Sequence, residues 1–228
     1  MHSEQIKAWA VSRSIYMGGN VLEIDPYNRL SIKPQILNEH MVSFGNRKEL
    51  VFTNENLLKL HRVGFSLPEI GFLMSHPFQA LKKINLLRKI GSSLKANVRS
   101  KAYLRLLLAV GLEATAVHLN EDKKCRSIIG SDKGIVEFYL DGDPLPLASL
   151  YKKEGSVWTV TITALQKKAK VRISFKSVDV GIKSCLGQLN PQVCSALGDY
   201  TIDGYLPLMD KIGYCARITG HDLPILGS

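Results

Sequence analysis

The chain has 228 residues, 45% hydrophobic and 22% charged, a composition that fits a folded globular protein and excludes a disordered one. Its formal net charge of +10 and pI near 9.4 point to an acidic partner, a nucleic acid or a membrane surface, and say nothing about the fold. The longest uninterrupted apolar run, Leu106–Leu112, falls far short of the about 20 residues that span a bilayer, so any membrane contact is expected to be peripheral.

Ser3–Val11 reads as a short helix. Val21–Asp25 and Arg29–Lys33 alternate apolar and polar residues around Pro26-Tyr27-Asn28, which predicts a hairpin. Leu57–Val63, the turn Gly64-Phe65-Ser66, and Leu67–Leu73 read as helix, glycine turn, helix. That pattern over residues 57–75 resembles the helix-turn-helix of bacterial regulators, whose second helix enters the major groove. A recognition helix needs exposed Arg, Asn, Gln or Lys to reach base edges, and Leu67–Leu73 offers only Glu69.

Between Glu69 and Glu113 the chain contains no acid, yet it carries Lys82, Lys83, Arg88, Lys89, Lys95, Arg99, Lys101 and Arg105. Such a field repels itself unless an external polyanion completes it, which makes these eight residues candidate contacts for phosphate or anionic lipid. Pro77 suits a first helical position. Phe78, Leu81, Ile84, Leu87, Ile90 and Leu94 then recur every three or four residues, predicting an inward apolar stripe with the cations outward. Gly91-Ser92-Ser93 is expected to interrupt this helix, with Ser93 capping a second one. In that second helix Leu104, Leu107, Leu108 and Gly111 share a face.

Beyond residue 134 the period changes from helical to two. Ile135–Leu140 predicts a strand ended by Asp141-Gly142-Asp143-Pro144. Trp158, Val160 and Ile162 alternate with threonines, and Val171, Ile173 and Phe175 alternate with Lys170, Arg172 and Ser174. With Gln166-Lys167-Lys168 as a turn, residues 157–176 are expected to form an antiparallel hairpin with one buried face. Its tip and open face would then hold a second basic patch of Lys167, Lys168, Lys170 and Arg172. After Gly181 the chain reads as short apolar pieces wrapping the sheet. No repeat or long linker divides it, so a single domain is expected over 1–228. A mixed part would run to residue 76, and a basic helical layer with a mainly antiparallel sheet from 77 onward, in the α+β class.

Motifs for chemistry are few. The histidines at 2, 40, 61, 76, 118 and 221 stand singly, and Cys125, Cys185, Cys194 and Cys215 show neither CxxC pairing nor zinc-like spacing. There is no GxSxG elbow and no phosphate loop. Asp141-Gly142-Asp143 opens like a calcium loop, but Pro144, Leu145 and Pro146 stand where further ligands belong. No catalytic residue, metal or cofactor is expected, and no small-molecule substrate. With no apolar leader after Met1 and no glycosylation sequon, the expected setting is a reducing compartment with free thiols. Two YxxL tetrapeptides, at Tyr103 and Tyr205, have the form of trafficking signals.

The order of parts in Phe78–Ile90, Tyr103–Leu112, Gly134–Leu140 and Val157–Phe175 resembles the core of rhabdovirus matrix proteins. There a basic amphipathic region and a small-residue apolar helix precede a strand and a long antiparallel hairpin. The resemblance implies a non-enzymatic viral structural protein of virion and host cytoplasm. Such a protein self-associates and bridges ribonucleoprotein, or RNA, to the anionic membrane surface through its basic patches. A nucleic-acid-binding transcriptional regulator using residues 57–75 is the alternative, and a viral movement protein the third reading.

Overall fold

The computed structural model describes residues 3–22, 30–34, 39–44, 49–63, 74 and 77–224, with side chains described outside 23–51 and a few helix positions that include Lys82 and Lys83. Helix α1 spans Ser3–Val21, well past the expected end at Val11. Val21 therefore closes a helix and does not open a hairpin; the expected turn at 26–28 lies outside the described residues. Strand β1 (Leu30–Pro34) pairs instead with the following β2 (Glu39–Phe44), and β2 with β3 (Glu49–Thr53), as a three-stranded antiparallel meander. Helix α2 (Asn54–Val63) follows, its first turn capped where Asn56 N–H donates to Thr53 Oγ1 at 3.2 Å. The second helix of the regulator-like pattern, residues 67–73, lies outside the described residues.

Helix α3 (Pro77–Lys95) starts at the proline, where a missing N–H leaves no bond unmade. It runs unbroken through Gly91-Ser92-Ser93, contrary to expectation, with Ser92 Oγ donating to the Lys89 carbonyl at 3.0 Å. Helix α4 (Lys101–Glu121) is capped by Ser100, whose Oγ accepts from the Tyr103 N–H at 3.1 Å, and not by Ser93. Asp122 ends α4 and caps α5 (Lys123–Ile129), accepting from the Cys125 N–H at 2.8 Å.

The second sheet contains β4 (Gly134–Leu140), β5 (Ala148–Lys152), β6 (Thr159–Thr161), β7 (Val171–Phe175) and β8 (Tyr200–Gly204), in the order β6-β5-β4-β7-β8. Helices α6 (Val178–Cys185) and α7 (Pro191–Ala196) lie between β7 and β8, and α8 (Leu206–Asp222) follows β8. The expected hairpin over 157–176 is absent. β6 pairs with β5, β7 pairs with β4 in parallel, and two strands separate the pair that sequence would join. Three of the four pairings are antiparallel, so the mainly antiparallel α+β class stands. The alternation holds for five of the six expected residues: Trp158, Val160, Val171, Ile173 and Phe175 are buried on one face, while Ile162 is only half-buried. Asn120 of α4 substitutes for a strand partner, donating to the Trp158 carbonyl (2.9 Å) and accepting from its N–H (2.8 Å).

α4 is the centre of the packing. A one-face stripe understates it, because burial continues around the helix from Leu112 through Leu119. One side meets the large sheet through Leu104, Leu107, Leu108 and Leu112; another meets α1 and α2 through Ala114 and Val117. α6 approaches closely because Gly181 lacks a Cβ, which would sit 2.6 Å from Leu104 Cδ2. α8, where sequence suggested only wrapping segments, buries Leu208, Ile212, Cys215 and Thr219 along one face. At its end Asp222 pairs with Lys7 of α1 at 2.9 Å and faces His118 of α4 at 3.6 Å.

Candidate functional site

A helix turns about 100° per residue, so a step of three falls about 60° short of a full turn. The predicted stripe of α3 takes four such steps from Phe78 to Ile90 and slides around the helix. Its later members, Leu87 and Ile90, are buried, whereas Phe78 is 82% and Leu81 57% exposed. The outward face of α3 therefore begins apolar, with Phe78 and Leu81, and continues cationic with Arg88, Lys89 and Lys95, all exposed. The side chains of Lys82 and Lys83, on the same helix, lie outside the described residues.

The remaining cations of the acid-free interval have partners that linear sequence hides. Lys101 pairs with Asp143 at 2.8 Å and Arg99 with Asp179 at 3.4 Å, both acids arriving from the sheet half. Arg105 is half-buried and donates to the Ile162 carbonyl at 2.7 Å, which fixes β6 against α4. Arg105 is thus engaged within the fold, while Arg99 and Lys101 remain exposed beside their acids. Arg88, Lys89 and Lys95 have no ion pair among the described residues.

The second predicted patch is dispersed. Without a hairpin, Lys167 and Lys168 are exposed in the loop between β6 and β7. Lys170 stands over the Tyr205 ring at 4.5 Å and donates to the Lys133 carbonyl at 3.3 Å. Arg172 lies on the sheet face turned away from the helices, over the Tyr139 ring at 4.7 Å. It shares a cross-strand row with Glu137 and Asp203, so acids flank it on both neighbouring strands.

Other chemistry is subdued. Among the described residues no group of His, Cys, Asp and Glu could hold a metal ion, and Asp143 serves the Lys101 pair and a turn. All four cysteines are free. Burial pushes the Cys185 thiol up to about 12, and the hydrogen bond with Cys215, with burial, raises Cys125 as well, so both stay protonated and unreactive. Tyr103 is buried in the packed α4, which leaves no accessible YxxL there, while Tyr205 is 45% exposed. Sequence reasoning missed Arg13 and Glu113, a buried ion pair between α1 and α4. It also missed a groove between α5 and α8 lined by Lys124, Lys211 and Tyr214. The i, i+4, i+7 recurrence of Leu208, Ile212 and Cys215 was the available signal for α8.

No family model matches the chain, and no curated protein matches it. Solved structures match in part. The sterol carrier protein domain 2 of Helicoverpa armigera is 21% identical, with a TM-score of 0.39, over 50% of this chain and 89% of that one. A conserved hypothetical protein from Thermus thermophilus, described as possibly a sterol carrier protein, is 14% identical at TM-score 0.36, over 49% and 85%. Sterol Carrier Protein 2 from Yarrowia lipolytica is 14% identical at TM-score 0.33, over 45% and 91%. The expected viral matrix-like function is corrected by the sheet topology. The long antiparallel hairpin over residues 157–176 on which that expectation drew does not form, because β7 pairs in parallel with β4 and β6 pairs with β5.

Proposed function

We propose that this chain is a non-enzymatic, peripheral lipid-binding protein that meets an anionic bilayer through the outward face of α3. One observation carries the reading: two large apolar side chains, Phe78 and Leu81, are exposed on the same helix face as three cations that have no ion pair among the described residues. Water disfavours the first feature and self-repulsion the second. A bilayer interface relieves both, taking apolar side chains to the acyl boundary while lipid phosphates meet the lysines and arginine. Partners of other kinds fit less well. A polyanion without an apolar phase leaves Phe78 and Leu81 in water, and an apolar groove leaves the cations unmatched. α4 is the one described helix long and apolar enough to cross a membrane, but it is mostly buried as the core of the fold, so the contact is one of surface.

Each cation near an anionic leaflet contributes about 1 kcal/mol, and burial of apolar area adds about 25 cal/mol per Å². Co-sedimentation with phosphatidylcholine vesicles, with and without phosphatidylserine, tests the proposal. Binding is expected to require phosphatidylserine, to weaken in Arg88→Gln/Lys89→Gln, and to weaken again in Phe78→Ser/Leu81→Ser. Vesicle binding that ignores the second pair of changes, or is absent altogether, refutes the assignment of this face.

A further inference from the structure

The seam between α5 and α8 lies away from the α3 face and carries an inference independent of it. Lys124, Ser127 and Ile128 fall at i, i+3 and i+4 on one face of α5. Asp210, Lys211 and Tyr214 line the facing side of α8, and together the two helices border a shallow, wide-open groove of about 520 Å³. The same helices are held together through buried Cys125, Ile129, Ile212 and Cys215, with the Cys215 thiol donating to the Cys125 carbonyl at 3.9 Å.

The groove has two unlike ends. Near one, Lys211 is held by Asp132 at 2.7 Å, and Asp210 adds an exposed negative charge. Near the other, Lys124 stands 5.4 Å from the centroid of the Tyr214 ring, and Arg217, just outside the groove's lining, stands 5.6 Å from the same ring. Neither of these cations has an ion pair among the described residues. The hydrogen bond that Lys124 shares with the Tyr214 phenol raises its pKa, so the ammonium stays charged. The Tyr214 ring forms the apolar part of the cationic end, and the Ile128 side chain continues the apolar lining from it. The contact of Asp132 with Lys211, and of Lys124 with Tyr214, sets the two helices antiparallel and places Ile128 towards the acidic end.

We propose that this groove binds one single-chain amphiphile with an anionic head. The head sits at Lys124 and Arg217, and the chain runs past Tyr214 towards Ile128. Asp210 enforces that direction, because it repels an anionic head from the opposite end. Carboxylate and phosphate heads share this chemistry, so the test uses one of each.

Titration calorimetry on the full chain, with oleate and with lysophosphatidate below their micelle thresholds, reads the site directly. Octyl glucoside supplies a chain without charge, and inorganic phosphate a charge without a chain. Both anionic amphiphiles are expected to bind, and Lys124→Gln/Arg217→Gln to weaken each about tenfold, the effect of losing charge-assisted contacts. Tyr214→Ala is expected to reduce the gain obtained from lengthening the chain. Phe78→Ser/Leu81→Ser should leave all of these titrations unchanged, which separates the groove from the vesicle contact of α3. The altered residues are exposed, so the variants retain the fold, and circular dichroism checks that. The proposal is overturned if neither amphiphile binds, if octyl glucoside binds as well as oleate, if phosphate alone matches lysophosphatidate, or if the double variant keeps its affinity.

Discussion

Glu113 is a carboxylate in the centre of the fold, 2% exposed on α4, and its stability role can be worked out from its contacts. Arg13 of α1 donates from Nε to Glu113 Oε1 at 2.6 Å and pairs with the same oxygen through Nη2, while Oε2 has no hydrogen-bond partner among the described residues. Burial raises the Glu113 pKa above its ordinary value, and the guanidinium offsets only part of that shift. Replacing Arg13 by Met strands a buried charge, which costs about 3–5 kcal/mol. The lower end is expected here, because the Arg13 side chain is 26% exposed and admits some water. A further contribution, about 0.5–1 kcal/mol, comes from the guanidinium lying 5.2 Å from the Tyr16 ring and 5.9 Å from the Trp9 ring. Arg13→Met/Glu113→Leu should recover most of the loss, since an apolar pair has no partner to lose.

The pH dependence has a defined sign. Because the folded pKa of Glu113 lies above the reference value of 4.5, the folded state binds the extra proton in the window above that pH. The stabilisation linked to this proton is complete below 4.5 and is lost as pH rises through the folded pKa. Removing Arg13 moves the folded pKa higher still, so the cost of Arg13→Met should be small in acid and grow towards neutrality. Urea unfolding midpoints for wild type, both single variants and the double variant, taken at pH 4.5 and near neutrality, measure this. A cost below about 1 kcal/mol that does not change with pH would refute the view that Glu113 is held as a buried ion.

Two further outcomes follow from the packing. Ile173, 3% exposed in β7, should cost about 2–5 kcal/mol on change to Ala, and half-buried Ile162 less; equal, small shifts in denaturant midpoint would contradict the buried face. Asn120→Ala removes both bonds to the Trp158 backbone, a loss of about 1–3 kcal/mol, and hydrogen exchange at the Trp158 amide should accelerate while the centre of β4 stays protected.

The local period of the sequence determined which side chains turn inward and little about which strands meet. Trp158, Val160, Val171, Ile173 and Phe175 are buried as their alternation requires, because side chains of a strand alternate faces whatever its neighbours are. The neighbours are a matter of long-range pairing. β7 pairs with β4, in parallel, and not with its predecessor β6, a choice that the alternation within 157–176 does not distinguish. The three-residue spacing in α3 gave a stripe in one dimension that, wound at about 100° per residue, leaves Phe78 and Leu81 in water. Charge followed the same division. Sequence counts the cations between Glu69 and Glu113, whereas only the tertiary fold brings Asp143 to Lys101 and Asp179 to Arg99. That fold leaves Arg88, Lys89 and Lys95 without such partners among the described residues, because electrostatic attraction depends on distance in space and not along the chain.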